Sequence, residues 1–596
     1  FPRRRGDPSR PWNRFSVKLK KSDGSPLFNY EGNWRDIFQN WEALAHSYPA
    51  FLPSMIAKFL NAITVDGFNP YRITRSGIDW EVPDPEDPWA HIGYWNDHQI
   101  IYLLRLLELQ YEINASELCR FMDEPIYTTS LIPYRLKPYE RIRENPRDTI
   151  VFDRSLDKAI NALIPNLGTD AKLVRSGLQG AEGNVPSMVS LAAKLLQILC
   201  TKLASYVPGG GIWLNTQRPE WNDANNALAG YGLSMVTLYY LRRFVSFSER
   251  LFETDGSDSY EVPQELASFF RGLADLFIES ECADLCGEKK RKDFVDAAGQ
   301  LFEKEREALY EFGYTEFVRL PAADILTAFK AFLKHIDYAI CTNKRKDGLY
   351  HAYNMLTVYG DRMKVSNLSE MLEGQVAVLS SGALNPEEAV YVCRALASSR
   401  LYEKRQNSYI LYPDKKLPSF MQKNCFTTEK AERIPLLKKM LREKDTRIIE
   451  KDENGFCHFN ADFANAGILK EKLCGCGFSE SKDLVLELYE QTFHHASFTG
   501  RSGTFYAYEG LGSIYWHMVS KLLLAVQESV FDAKANNADK KVLAELAEAY
   551  YDIRSGLGFN KTPLLYGAFP ADPYSHTPHG GGAKQPGMTG QVKEEV

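Results

Sequence analysis

Apolar residues recur at helical spacing along almost the whole of this 596-residue chain, over 34–47, 51–64, 97–113, 155–164, 186–206, 223–247, 262–280, 290–311, 322–340, 386–400, 481–492, 513–533 and 540–554. No regular alternation of strands and helices accompanies them, and Pro208-Gly209-Gly210-Gly211 and Asp255-Gly256-Ser257-Asp258 supply stops between helices. Such a succession must bury its apolar stripes helix against helix, which predicts an all-α fold. The lack of a residue repeat favours a toroid of hairpins over a solenoid. Segments 65–94, 207–222, 341–370, 401–436 and 555–588 are longer than bundle loops and rich in Trp, Tyr, Asp, His and Gly, so they are expected to build a site.

Composition narrows the partners. With 44% hydrophobic and 25% charged residues the chain can bury a substantial core. A net charge of −6 gives no general drive toward nucleic acid or an anionic membrane, so neither is expected as a partner. Aromatics at 12% supply ring faces suited to sugars, whose faces are apolar and rims hydroxylated. The ten cysteines include Cys282/Cys286 and Cys474/Cys476, neither followed by the second pair of a structural zinc site; reduced thiols and no metal are expected. No apolar run approaches the roughly 20 residues that cross a bilayer, and a cytoplasmic protein is the expectation. Met588–Val596 reads as a helix start with no helix after it, which predicts one domain over 1–596 that stops before its last helix.

Four short segments at predicted helix starts combine rings, carboxylates and amides or imidazoles: Gly32-Asn33-Trp34-Arg35-Asp36, Gly93-Tyr94-Trp95-Asn96-Asp97-His98, Glu220-Trp221-Asn222-Asp223, and Tyr508-Glu509-Gly510 running on to Trp516-His517. In a closed ring of hairpins, helix starts from distant positions converge on one end of the cavity. Cleaving a glycosidic bond with inversion needs an acid beside the leaving oxygen and attack from the opposite face. Asp223 is the candidate acid, with Trp221 as stacking surface and as the apolar neighbour that keeps the carboxyl protonated. On spacing alone, Asp223 serves equally as the cap of the helix running to Leu241. Arg35-Asp36 and Asp97-His98 are forks for sugar hydroxyls; taken singly, Arg35 reads as a surface ion pair, His517 as a core histidine, Trp95 as a core aromatic and Glu509 as a solvated carboxylate. The glycine-rich run from Tyr566 through Asp572, His576 and His579 to Thr589-Gly590 offers backbone N–H groups to phosphate, or is a terminal loop.

Assembled, these segments resemble the cellobiose and chitobiose phosphorylase family, glycoside hydrolase family 94, and more broadly its (α/α)₆-barrel relatives among inverting glycosidases. "NWRDIFQN" is similar to the family's WRD/FRD-x-x-Q-D stretch, "YWNDH" to WDDH, "EWNDANN" to DWNDGMN, "EGLGSIYWH" to N-G-G-x-x-WH, and "MTGQV" loosely to T-G-T-A-G-W. The resemblance implies a six-hairpin barrel, together with an N-terminal β-sandwich, a final barrel helix and a C-terminal β domain that are not expected within these 596 residues. It further implies Arg35, Asp36 and Asp97 around the non-reducing sugar, Trp221 against the sugars, Asp223 as general acid, and His517 and Thr589 facing phosphate. Glu220, Ala224, Asn40 and Gln591-Val592-Lys593-Glu594 depart from the pattern.

The expected activity is inverting phosphorolysis of a β-linked gluco-oligosaccharide, with inorganic phosphate as co-substrate and no other cofactor. Trp95 and Glu509 join the sugar-binding set, and Gly590 the phosphate-binding set. An inverting hydrolase is the first alternative. It needs a base, for which Asp572 leads Glu509 and Glu594, about 6.5–9.5 Å from Asp223. A noncatalytic carbohydrate-binding domain is the second. The expected partners are the oligosaccharide and, as a homodimer, a second copy of the chain.

Overall fold

In the computed structural model the chain forms two compact units, one of residues 1–413 with 510–596 and one of residues 414–509. The structure describes residues 20–27, 31–69, 72–74, 77–80, 82–83, 99–175, 185–215, 228, 230–413, 424–475, 478, 481–493, 498–499, 505–506, 513–559 and 576–578.

The first unit is mostly helical. Its principal helices are α1 (Trp34–Ser47), α2 (Leu52–Asn61), α3 (Leu104–Arg120, entered through a π turn at Gln99–Leu103), α4 (Leu191–Leu203), α5 (Met235–Asp255), α6 (Gln264–Glu279), α7 (Glu288–Phe312), α8 (Ala322–Thr342), α9 (Leu372–Leu379), α10 (Pro386–Ala397), α11 (Trp516–Ala535) and α12 (Lys540–Arg554). Local chemistry sets several of their ends. Ser190 caps α4 by accepting from Ala193 N, and Asn385 with Glu388 forms a capping box on α10. α5 stops at Gly256, whose φ of 68° is the left-handed conformation that closes a helix at little cost to glycine. α4 is apolar nearly all round and every one of its residues is buried, as a helix without a solvent face must be.

The all-α expectation is corrected by a five-stranded antiparallel sheet. It joins β1 (Tyr206–Val207), β2 (Gly211–Trp213), β3 (Gly232–Ser234), β4 (Tyr353–Tyr359) and β5 (Arg362–Asn367) in the order β5-β4-β3-β2-β1. β1, β2, β4 and β5 come from the two segments expected to be site loops, 207–222 and 341–370, or their edge, and β3 from the stretch expected to be helical. Most are two or three residues long, too short to show an alternating pattern. Residue pairs fix the register: Tyr353 faces Ser234, and Ile212 faces Ser234 from the other side. The sheet also relocates a helix. Within the stretch expected to be helical over 223–247, Gly232–Ser234 is strand β3 and α5 starts at Met235 directly after it, with Ser234 Oγ accepting from Thr237 N at 3.0 Å.

The second unit packs its own core. Strands Phe426–Thr427, Phe456–Phe459 and Ile449–Lys451 form an antiparallel sheet with Phe456–Phe459 in the middle. Helices Pro435–Glu443, Ala466–Gly475 and Lys482–Phe493 contribute Leu437, Leu469, Leu473 and Val485 to a shared buried cluster with Cys457. Tyr489 closes it, its hydroxyl donating to Phe463 O at 2.8 Å.

Candidate active site

One cluster of charges ties together helices from four distant parts of the chain. Arg105 on α3 donates through Nε to Glu42 of α1 at 3.0 Å and through Nη1 to Glu528 of α11. Arg243 on α5 grips Glu108 of α3 at 2.7 and 2.9 Å and Glu528 at 2.9 and 3.2 Å. A further Arg243 bond, 3.1 Å to Ser380 O, satisfies a carbonyl at the end of α9. Burial opposes the charge of both guanidiniums, and the carboxylates around them outweigh it. Planar guanidiniums that each serve two carboxylates impose angles as well as distances.

The cluster sets register. Along α3 and α5, Arg243 meets Glu108 while Phe247 and Thr254 lie further on beside Tyr111, so the two helices run the same way. α11 also runs with α3, because Lys521 lies over the Tyr102 ring and Glu528, further along, meets Arg105. For α9 the sense is fixed at both ends: Tyr353, paired with Ser234 at the start of α5, donates to Glu373 in the first turn of α9 at 2.9 Å. α1 and α2 form a hairpin held by Phe38 against Phe59, ring centroids 4.5 Å apart. Gln99 Nε2 donates to Gly67 O just beyond α2, which makes α2 antiparallel to α3 and α1 parallel to it. Roughly two to three turns separate Glu42, Glu108, Arg243 and Glu528 from the starts of their helices, α3 taken with its π turn, about 12–18 Å of rise. The starts of α1, the π turn, α5, α9 and α11 therefore share one end of the unit.

Two of the four motif segments named from sequence reach that end in the described backbone, and a third, 93–98, precedes the π turn in the chain and lies outside the described residues. Arg35 and Asp36 lie in the first turn of α1, and His517 is in the first turn of α11. The fourth segment, holding Trp221 and Asp223, precedes β3 and α5 in the chain. The cap role open to Asp223 on the helix through Leu241 is filled by Ser234. The glycine-rich run is tied in as well: His576–Pro578 pairs antiparallel with Ser513–Tyr515, directly before α11, with His576 opposite Tyr515. The side chains of Arg35 and Asp36, and the whole of Trp95, Asp97, Trp221, Asp223, Glu509, Asp572, Thr589 and Gly590, lie outside the described residues. His517 is buried, its ring 5.8 Å from that of Tyr515.

Other polar residues at this end had no motif to mark them. Glu373 is buried in the first turn of α9 against the Tyr353 hydroxyl, and Gln99 and Ser520 are buried in the π turn and in α11. Gln99 follows Asp97-His98 directly, the one signal in the sequence that would have found it. Among the described residues no group of His, Cys, Asp and Glu is arranged to hold a metal ion, and no helix is long and apolar enough to cross a membrane.

A parallel set of helix starts thus brings a buried amide, an imidazole and a carboxylate to one end of the unit. Residues 417–496 match the family model described as GH149 phosphorylase insertion domain 2. The matched stretch falls within the second compact unit, 414–509, which interrupts the first in the chain. The chain is thus a carbohydrate-active enzyme of the glycoside phosphorylase kind. No curated protein matches it.

Proposed function

We propose that this protein cleaves a β-linked gluco-oligosaccharide by inverting phosphorolysis at the end of the first unit where its helices begin. The observation that carries this reading is the match of 417–496 to a phosphorylase insertion domain. The shared register of α1, α3, α5 and α11 supports it, since these helices follow or contain the four motif segments. In this reading the hairpins of the first unit form an (α/α)₆ barrel resembling that of glycoside hydrolase family 94, its chain interrupted between residues 413 and 510 by the second unit.

In the proposed step a phosphate oxygen attacks the anomeric carbon while the bond from that carbon to the leaving oxygen breaks. Asp223 gives its proton to the leaving oxygen, and the proton lost from phosphate restores the acid. No protein base is required, because phosphate is the nucleophile. Arg35, Asp36, Trp95, Asp97, Trp221 and Glu509 hold the sugars; His517, Thr589 and Gly590 hold phosphate. The products are a sugar 1-phosphate of inverted configuration and a shortened acceptor.

The test is incubation with β-linked gluco-disaccharides, with and without inorganic phosphate. Phosphate-dependent sugar 1-phosphate is expected. Free sugars released at equal rates in both arms overturn phosphorolysis in favour of hydrolysis.

A further inference from the structure

Asn69 is fully buried, yet neither its Oδ1 nor its Nδ2 meets a hydrogen-bond partner among the described residues. Gln99 is 1% exposed; its Nε2 is spent on Gly67 O at 2.8 Å, and that bond fixes the amide orientation, leaving Oε1 without a donor. Ser520, also 1% exposed, has a hydroxyl in the same condition. Each is an exception to the rule that buried polar atoms are paired.

The three belong to the end where the helices begin. The turn before Asn69 is closed by Gly67 N donating to Thr64 O, and is pinned from α4 by Gln197 Nε2 on Thr64 O and Val65 O at 3.2 and 3.1 Å. Gln99, bonded to that turn, opens the π turn directly after Asp97-His98. Ser520 lies in the first turns of α11, and its neighbour Lys521 lies over Tyr102 of the π turn. A segment held this firmly has little freedom to carry Asn69 out to water.

The unmet capacity has a chemical signature. Gln99 Oε1 only accepts, Asn69 both donates and accepts, and Ser520 does either. Inorganic phosphate presents mainly acceptor oxygens, and its negative charge is repelled by the Gln99 oxygen. A sugar ring offers hydroxyls that donate and accept in turn, which matches all three. On the basis of the function proposed above, we propose that Asn69, Gln99 and Ser520 form a hydroxyl-reading set that binds the sugar ring rather than phosphate.

Asn69→Leu and Gln99→Met keep the side-chain volume and remove the polar atoms; Ser520→Ala is the milder third. Binding of D-glucose and of α-D-glucose 1-phosphate is measured by calorimetry on the full chain, beside inorganic phosphate and the thermal midpoint. The expected result is a loss of about tenfold to a hundredfold in sugar affinity for the first two variants, with phosphate affinity unchanged. The thermal midpoint of free Asn69→Leu should hold or rise, because its unpaired amide is gone, whereas Gln99→Met also loses the bond to Gly67 O and should fall modestly. Unchanged sugar affinity, or a fall in midpoint as the sole effect, overturns the proposal in favour of a structural role. A wild type that binds sugar and shows no phosphorolysis sinks the functional reading while the variants still decide this set. A wild type that binds neither sugar overturns both.

Discussion

Arg243 and Glu528 face each other in a two-pronged pair, Nη1 to Oε2 at 2.9 Å and Nη2 to Oε1 at 3.2 Å, although 285 positions separate them in the chain. Burial raises the Glu528 pKa, and Arg243 and Arg105 more than reverse it, leaving the carboxyl at about 2. A depressed acid stabilises the fold above its unfolded pKa and loses that contribution as pH falls through the folded one. The window here runs from about 4.5 down to about 2. Glu528→Gln leaves two guanidiniums short of a partner and should cost about 3 kcal/mol at pH 7, read from the urea midpoint. Its stability should also fall less steeply than the wild type's between those pH values. An acid limb of unchanged steepness would mean that the pair does not set it.

Lys194 gives the opposite pH signature. It is completely buried in α4, and its Nζ donates to Thr129 Oγ1 at 2.6 Å, with no carboxylate paired to it among the described residues. Desolvation therefore holds its pKa well below 10.5. The unfolded chain binds the proton more readily than the folded one, so this residue makes stability rise with pH from the depressed pKa up to about 10.5. Lys194→Met should raise stability at pH 7 by about 1–2 kcal/mol, and the gain should shrink as pH climbs toward 10. Thr129 keeps a partner in the Tyr314 hydroxyl at 2.8 Å. A variant less stable than wild type at pH 7 would show the ammonium to be net favourable.

Gly67 tests the seating of the turn that Gln99 holds. Its φ is 75°, and a Cβ built there would sit on the Thr201 side chain of α4. Gly67→Ala combines a left-handed alanine with overpacking against a buried helix, together about 2–4 kcal/mol. Adding Thr201→Ala should return part of the overpacking share and none of the backbone share, as measured by urea unfolding of the two single variants and the pair. Strict additivity of the two substitutions would contradict the close approach.

The legible part of the fold was its long amphipathic or wholly apolar stretches. α4, α7, α8 and α12 appear within a few residues of the spacing that predicts them, and Gly256 ends its helix as a left-handed stop must. α9, Leu-Glu-Gly-Gln-Val-Ala-Val-Leu, left no such trace, since a short helix buried on every side has no polar face to set a period. The sheet was hidden because Gly232–Ser234 takes one of its partners, Tyr353–Met355, from more than a hundred residues later, and Gly211–Trp213 is a strand by pairing with Gly232–Ser234 in turn. The charge cluster was equally silent: Arg105 and Glu528 are 423 positions apart, and periodicity says nothing about pairs at that range. Of the candidate site, sequence supplied the helix starts. It passed over Asn69, where Asn-Pro reads as an ordinary turn, and Gln99, whose burial only the Gly67 contact reveals.

Asp223 carries the sharpest functional prediction. A general acid contributes about 10²–10⁴ in rate when the leaving group needs its proton, so Asp223→Asn should lower kcat for phosphorolysis by that factor and leave sugar affinity within a few-fold of the wild type. Asp572→Asn divides the two chemistries. In phosphorolysis the nucleophile needs no base, and this variant should retain most of its turnover; in hydrolysis Asp572 activates water, and the same substitution should cost as much as loss of the acid. The measurement is steady-state release of sugar 1-phosphate and of free sugar by both variants on one β-linked gluco-disaccharide. Full activity in Asp223→Asn would remove that residue from the chemistry and return the segment to a binding role.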